Sequence, residues 1–291
     1  MSRIVEGRVV VVTGAGTGLG RSHALELGRQ GACVVVNDMG ASANHTVEEI
    51  RGAGGVAVAS IGDVADWSYS GELINVAVDT YGQLNALVNN AGLVRDKMFV
   101  NLSEEEWDLV VRVDLKGHFC PFRHAAAYWR EQSKQGKAVS ARVVNTTSGA
   151  GLLGSVGQSN YTAAKAGVAA LTLVTAAELA RYQVTVNAIA PAARTSMTEQ
   201  VFAESMATPT SGFDAMSPDN ISPLVVWLVS EEAGDVTGRV FEMSGGIVSV
   251  ADGWQPGPSV DKKDRWSPAE LGPVVRALLG QAPTPAPVYG A

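Results

Sequence analysis

Three residues that can move a proton to or from a carbonyl oxygen lie close together in the sequence: Ser148, Tyr161 and Lys165. Tyr161 and Lys165 are four residues apart in a stretch predicted to be helical, so they share one helix face. A phenol has a reference pKa of about 10 and is a poor base at neutral pH, but a nearby ammonium favours the phenolate. The Ser148 hydroxyl can hold a substrate oxygen near Tyr161. The spacing therefore indicates acid–base chemistry on an alcohol or a ketone.

A glycine-rich run near the start, Thr13-Gly14-Ala15-Gly16-Thr17-Gly18-Leu19-Gly20, follows a predicted strand and precedes a predicted helix. It fits G-x-x-x-G-x-G rather than G-x-G-x-x-G, because Leu19 occupies the last glycine position of the second pattern. Such glycines allow a tight turn close to a pyrophosphate, and the helix N-terminus presents free N–H groups to that charge. Together with the proton-transfer residues, this run predicts hydride transfer with a nicotinamide dinucleotide.

An acidic residue, Asp38, ends the second predicted strand. A carboxylate here can accept hydrogen bonds from both ribose hydroxyls and repels a 2′-phosphate, although a helix cap or turn former is the alternative. No Arg or Lys stands beside it and position 17 is Thr, so NAD(H) is favoured over NADP(H). Asp63, after the third predicted strand, has two equal interpretations, a hydrogen bond to the adenine edge or a helix N-cap.

The bulk composition limits the class of protein. The 291 residues are 46% hydrophobic, enough for a large core, and their net charge of -7 argues against nucleic acid as a partner. No uninterrupted apolar stretch is long enough to span a membrane, so no membrane span is expected. Cys33 and Cys120 make no disulfide framework, which favours a reducing compartment, the cytoplasm. No zinc-type spacing of Cys and His occurs, so no metal is predicted.

Short apolar runs alternate along the chain with longer helical patterns. The runs are rich in β-branched residues and apolar nearly throughout, as is typical of parallel strands buried on both faces. Strands are predicted at 8–13, 33–37, 56–59, 86–89, 141–146, 185–188 and 240–243, and helices at 18–30, 44–53, 66–81, 103–132, 158–181 and 219–231. This alternation predicts an α/β fold, a Rossmann-type doubly wound parallel sheet of about seven strands in a single domain.

The C-terminal part of the chain has a different character. We expect residues 1–252 to form the nucleotide-binding domain and residues 253–291 a C-terminal extension. A capping box at Ser267 and Glu270, with Pro268 at the first helical position, predicts a short helix over 268–279. The alternating prolines of 283–287 then predict an extended tail.

In these motifs the chain resembles the short-chain dehydrogenase/reductase family over about residues 6–250. The resemblance includes the glycine run, Asn89-Asn90-Ala91-Gly92, Ser148, Tyr161-x-x-x-Lys165 and Asn187-Ala188-Ile189-Ala190-Pro191. It implies that Tyr161 is the general acid/base, that Lys165 tunes it and binds ribose, and that Ser148 stabilises the substrate oxygen, while residues 89–92 line the cofactor cleft. The expected cofactor-binding residues are Gly14, Thr17, Gly18, Leu19, Gly20, Asp38, Asp63, Val64, Asn90, Ala91, Gly92, Tyr161, Lys165, Pro191, Thr195 and Met197.

The sequence departs from the family pattern at two places. The family's catalytic Asn, which kinks a helix and holds a relay water through its carbonyl, is here Asp114. An Asp can keep the backbone role, but its charge is expected to perturb Lys165. The usual Pro-Gly after the sixth strand is Pro191-Ala192. The contact to the nicotinamide carboxamide is open among Thr195, Ser196 and Thr198.

A narrower resemblance concerns the substrate. The runs Val113-Asp114-Leu115-Lys116-Gly117 and Gly157-Gln158-Ser159-Asn160-Tyr161 are similar to the (3R)-hydroxyacyl-CoA dehydrogenase domain of peroxisomal multifunctional enzymes and its stand-alone actinobacterial relatives. This implies a homotetrameric NAD-dependent enzyme that interconverts a secondary alcohol and a ketone, with a 3-hydroxyacyl-CoA as first substrate. A hydroxysteroid or a general carbonyl compound is the alternative. A non-catalytic nucleotide-binding subunit, with Asp114 as the sign of decay, is the alternative of another class.

Overall fold

A single sheet with helices on both faces forms the body of the molecule. The computed structural model describes residues 3–195, 208–251 and 253–290. Within these ranges the sheet has eight strands in the order β3-β2-β1-β4-β5-β6-β7-β8. The order reverses between β1 and β4, so the loops after these two strands part at the carboxyl edge and leave a crevice there. The predicted fold class is confirmed.

The seven parallel strands pair in register along this sheet. Strands β1, β4 and β5 are buried along their whole length, which explains why they are apolar almost throughout rather than alternating. The strands are β1 Val9–Val12, β2 Cys33–Asp38, β3 Val56–Ile61, β4 Ala86–Asn89, β5 Ala141–Thr146, β6 Val184–Ala192 and β7 Val240–Ser244.

An eighth strand, β8 Ile247–Ala251, was not predicted. It returns antiparallel to β7 through Gly245 and Gly246. Gly245 has a φ of +55°, a conformation that glycine adopts without a steric penalty and that a two-residue hairpin requires. Because β8 is an edge strand and its side chains are largely exposed, it lacks the buried apolar pattern that marks the other strands.

The helices cover the two faces of the sheet and lie close to the predicted stretches. They are α1 Gly18–Arg29, α2 Ser42–Gly52, α3 Trp67–Tyr81, α4 Glu104–Val110, α5 Gly117–Lys134, α6 Gly149–Leu153, α7 Ser159–Leu179, α8 Ser222–Val229 and α9 Pro268–Leu279. The single helix predicted over 103–132 is divided: a π-helical segment, Val111–Lys116, separates α4 from α5.

One stretch, Ser159–Tyr182, is long and apolar enough to cross a membrane by length and composition alone. It comprises α7 and the 3₁₀ turn that follows, and α7 packs against β6 and the π-helical segment. Length and composition alone do not distinguish a membrane span from a helix that packs against a protein core. Lys165, Thr172 and Glu178 interrupt its apolar residues, so it contains no uninterrupted apolar run of spanning length.

Candidate active site

The glycine run forms the loop between β1 and α1, and two of its glycines allow it to approach the end of β4. A Cβ on Gly20 would lie 2.2 Å from the Gly14 oxygen and 2.5 Å from Nδ2 of Asn90, and a Cβ on Gly14 would lie 2.8 Å from Cα of Ala91. Gly14 also has a φ of +60°. Any side chain at these positions would push the two loops apart, which explains the residue type.

Hydrogen bonds fix the same two loops to each other. The Thr13 hydroxyl accepts from the backbone N–H groups of Asn90 and Ala91, at 2.9 and 3.1 Å. The Asn90 side-chain amide donates back to the carbonyls of Thr13 and Gly14, at 3.1 and 3.2 Å. The floor of the crevice is therefore a rigid, reciprocally bonded pair of strand ends.

The N-terminus of α1 opens into this crevice without a competing anion. Its N-cap residue Thr17 makes no side-chain cap hydrogen bond, and the first turn holds no acidic residue. The first N–H groups of a helix have no intrahelical partner and carry a partial positive charge. They fit the pyrophosphate of a dinucleotide, as the glycine cradle around them does.

Asp38 is the last residue of β2, and its side chain contacts the glycine loop. One carboxylate oxygen, Oδ2, accepts a hydrogen bond from the Gly16 N–H at 2.9 Å. The side chain is partly exposed and lines the cleft. The carboxylate thus both holds the loop and presents a negative charge to whatever the loop binds.

Asp63 has partners within the protein that neither sequence interpretation included. Its carboxylate pairs with Arg112 and accepts from the Ala65 N–H. These donors hold the pKa of Asp63 below its usual range, although burial opposes them. The N-cap of α3 is the neighbouring Asp66, which accepts from the Tyr69 N–H, so the N-cap interpretation of Asp63 is wrong. Asp63 and Val64 both line the cleft.

Ser148, Tyr161 and Lys165 are brought to one wall of the crevice by β5 and α7. Ser148 follows β5 and caps the short helix α6, its hydroxyl accepting from the Ala150 N–H at 3.2 Å. Lys165 is 2% exposed, and its ammonium lies 5.5 Å from the centre of the Tyr161 ring. An ammonium at this distance stabilises a phenolate, so the arrangement suits proton transfer by Tyr161.

Asp114 completes this wall from the π-helical segment. Its carboxylate lies 3.1 Å from the Lys165 ammonium and accepts from the Leu93 N–H at 3.0 Å. Burial raises the pKa of Asp114, while Lys165 and the Leu93 N–H oppose that shift. The helix is distorted around residue 114 although an Asp replaces the family's Asn, since the segment Val111–Lys116 is π-helical. The perturbation of Lys165 that was expected from the charge of Asp114 is a direct ion pair.

A cleft of about 440 Å³ connects these groups. Among the described residues it is lined by every predicted site residue except Gly20 and Asn89. Those lining residues are Gly14, Thr17, Gly18, Leu19, Asp38, Asp63, Val64, Asn90, Ala91, Gly92, Asp114, Ser148, Tyr161, Lys165, Pro191 and Thr195. Met197, Ser196 and Thr198 lie outside the described residues, so the choice between the last two and Thr195 remains a prediction.

One expectation from the resemblance is corrected. Asn89 does not line the cleft: it is fully buried, and its amide donates to the Asn145 side chain at 2.9 Å. The cleft also contains residues that the sequence analysis did not assign to the site, among them Leu93, Asp96 and Gln158. Gln158 donates to Asp96 at 2.9 Å. No signal in the sequence joins these two residues, because they come from separate loops.

The comparisons with known proteins agree with this geometry. The family model described as short chain dehydrogenase matches residues 8–206. The chain belongs to the short-chain dehydrogenase family. It is therefore an oxidoreductase acting on CH–OH groups, with a nicotinamide dinucleotide as the family's cofactor.

Individual relatives narrow the comparison. The chain is 45% identical over 285 residues to the hydroxyacyl-CoA dehydrogenase ChsB1 of Mycobacterium tuberculosis, covering 94% of this chain and 88% of that one. It is 39% identical to the peroxisomal multifunctional enzyme type 2 of Mus musculus, but covers only 34% of that longer protein. A short chain dehydrogenase from Mycobacterium avium is 60% identical, with a TM-score of 0.92 over 99% of this chain and 100% of that chain. The resemblance stated from the motifs is thus confirmed.

Proposed function

We propose that this protein is an NAD-dependent 3-hydroxyacyl-CoA dehydrogenase. The observation that carries the proposal is the 45% identity, over nearly the whole chain, to a relative named hydroxyacyl-CoA dehydrogenase. The intact Ser148, Tyr161 and Lys165 in one cleft argue against a non-catalytic subunit.

The choice of NAD over NADP rests on Asp38. The glycine cradle and the uncapped N-terminus of α1 fit a pyrophosphate, and Asp38 fits two ribose hydroxyls beside them. A 2′-phosphate would bring a second anion against this carboxylate. Among the described residues lining the cleft, Lys165 is the sole Lys or Arg, and it pairs with Asp114 beside Tyr161.

The proposed chemistry assigns one task to each residue. A nicotinamide dinucleotide held by the glycine loop and Asp38 would supply the acceptor for the hydride of the carbinol carbon. Tyr161, as the phenolate, takes the proton of the substrate hydroxyl, so that the C–O single bond becomes a carbonyl. Lys165 stabilises the phenolate from 5.5 Å and Ser148 donates a hydrogen bond to the substrate oxygen. In the reverse direction Tyr161 returns the proton.

The test is NADH production by the wild type with (3R)- and (3S)-hydroxyacyl-CoA and with a 17-hydroxysteroid in parallel. Turnover of one acyl-CoA enantiomer supports the proposal and sets the stereochemistry. Turnover of the steroid alone would favour a hydroxysteroid dehydrogenase instead. No turnover of any of the three substrates would contradict the proposal. Tyr161→Phe should abolish turnover while NADH binding, measured by fluorescence, is retained.

We also propose that the enzyme acts as a homotetramer. The family resemblance and the exposed apolar edge of β8, where Ile247 is 70% and Val250 54% exposed, support self-association. Light scattering behind a sizing column tests this, and a monomeric mass at micromolar concentration would contradict it.

A further inference from the structure

The residue at position 114 does more than distort the helix. Asp114 is fully buried, with 0% of its surface exposed. Its two oxygens have different partners: Oδ1 lies 3.1 Å from the Lys165 ammonium in an ion pair, and Oδ2 accepts a hydrogen bond from the Leu93 N–H at 3.0 Å. A Cβ on Gly92 would lie 2.6 Å from Oδ1, so the glycine beside the cofactor cleft leaves the room that this carboxylate occupies.

The Lys165 ammonium is held by one hydrogen-bond acceptor and one anion. It donates to the Thr146 carbonyl at 3.0 Å and forms an ion pair with Asp114, whose Oδ1 lies 3.1 Å away. Its side chain also lines the cleft. The carboxylate therefore holds the ammonium in place at the cleft wall.

The charge of Asp114 also changes the field at Tyr161. The other titratable groups that lie near the pair or line the same cleft are, among the described residues, His118 on α5, Asp96 after β4, Asp63 after β3 and Asp38 at the end of β2, which binds the Gly16 N–H. His118 is fully buried and its pKa is lowered well below the usual value by burial, so it is neutral. Asp96 is exposed and Asp63 pairs with Arg112. Asp114 is thus the buried anion that faces Lys165.

We infer that Asp114 is a positioning residue that holds the Lys165 ammonium in a buried ion pair. By cancelling much of the charge of this ammonium, Asp114 makes Tyr161 release its proton at a higher pH than Tyr161 would if residue 114 were uncharged. The inference rests on the proposed role of Tyr161 in proton transfer. An uncompensated ammonium stabilises the phenolate, whereas a carboxylate beside that ammonium repels it.

The expected shift follows from the distances. Because the ammonium is 3.1 Å from Asp114 and 5.5 Å from the Tyr161 ring centre, the carboxylate lies within about 9 Å of the ring centre. At an effective dielectric constant of about 20, one unit charge at this separation moves a titration by about one pH unit. Asp114→Asn should therefore lower the Tyr161 titration midpoint by about one pH unit.

The test titrates Tyr161 directly, without substrate or cofactor. The phenolate absorbance of the wild type, minus that of Tyr161→Phe, gives the Tyr161 midpoint, and Asp114→Asn minus Asp114→Asn/Tyr161→Phe gives it without the carboxylate. A midpoint about one pH unit lower in Asp114→Asn supports the inference. Equal midpoints would overturn it, since they would mean that the buried carboxyl is protonated and behaves as an amide.

Controls keep the outcome specific to position 114. Asp96→Asn removes an exposed carboxylate from the same cleft and should move the midpoint by no more than about 0.3 pH unit, because solvent screens it. Asp114→Ser replaces Asp114→Asn if the amide variant does not fold. Since no substrate is used, failure of the acyl-CoA proposal leaves this result readable.

Discussion

Asp38 offers the sharpest test of how this cleft chooses its cofactor. The carboxylate has two tasks that can be separated: Oδ2 accepts from the Gly16 N–H at 2.9 Å, and the charge faces the cleft. Asp38→Ala removes both tasks. Asp38→Asn keeps an acceptor for the Gly16 N–H and removes only the charge.

The magnitude follows from the strength of hydrogen bonds to a charged acceptor. Such a bond contributes about 1.5–3 kcal/mol, and about 1.4 kcal/mol corresponds to a tenfold change in affinity. Asp38→Ala should therefore weaken NADH binding by about 10- to 100-fold. NADPH binding should strengthen, because the repulsion between Asp38 and a 2′-phosphate is gone. The ratio of the two dissociation constants should therefore change by more than the roughly 10- to 100-fold loss of NADH affinity alone.

Fluorescence titration with NADH and NADPH at physiological salt measures both constants on the same protein. Asp38→Asn should give most of the change in preference with less loss of stability, since Gly16 keeps a partner. If both cofactors weaken equally in Asp38→Ala and neither changes in Asp38→Asn, Asp38 only closes the glycine loop and the ribose assignment is wrong.

Three further variants test other parts of the site. Gly20→Ala places a Cβ 2.2 Å from the Gly14 oxygen and should lower the free energy of unfolding, measured in urea, by about 2–3 kcal/mol. The control Gly52→Ala, at a helical site with nothing within 4 Å, should be neutral or stabilising. Equal losses in the two variants would contradict the close approach of the two loops. Lys165→Met leaves the Asp114 carboxyl buried without its cation, so it should cost about 3–5 kcal/mol at neutral pH. Burial raises the folded pKa of Asp114, so the variant should lose stability as pH rises from about 4; a loss independent of pH, or one that Asp114→Leu does not relieve, would refute the unpaired charge. The backbone of Tyr289 forms hydrogen bonds with Gly154 and Val156, and its ring lies at Gly149 beside Ser148, so Tyr289 stabilises the loop that carries Ser148. Tyr289→Ala should lower kcat a few-fold with unchanged NADH affinity, whereas Tyr289→Phe should leave kcat unchanged. Identical kinetics for the two variants would refute this role.

Much of the fold was predictable because buried parallel strands leave a strong mark on the sequence. The runs at 86–89 and 141–146 coincide with β4 and β5, since every residue there faces a helix layer. Strand β8 carries no such mark, because its burial is slight and its pairing depends on β7 being in place. The two glycines at 245 and 246 are the signal that could have revealed it.

The division of the helix over 103–132 was not predictable from periodicity. Nothing in the residue types of the π-helical segment, Val111–Lys116, specifies a wider turn, whereas the segment contacts α7 and its Asp114 binds the loop after β4. A π-helical turn adds one residue to a helix and often marks a functional site. It brings the Asp114 carboxylate to Leu93 and Lys165, two residues that the linear sequence does not connect to it.

Neighbouring residues in a motif can face opposite ways, so a sequence motif alone does not show which of its side chains reaches the cofactor cleft. Side chains alternate between the two faces of a strand, and Asn89 is the last residue of β4 while Asn90 follows it. Asn89 therefore bonds inward to Asn145, whereas Asn90 turns to the glycine loop and holds Thr13 and Gly14. The order of residue types identified the correct loop, but only the packing of β4 between β1 and β5 decides which amide reaches the cofactor cleft. The same reasoning applies at position 114, where the residue type predicts a charge and the surrounding contacts decide which cation it neutralises.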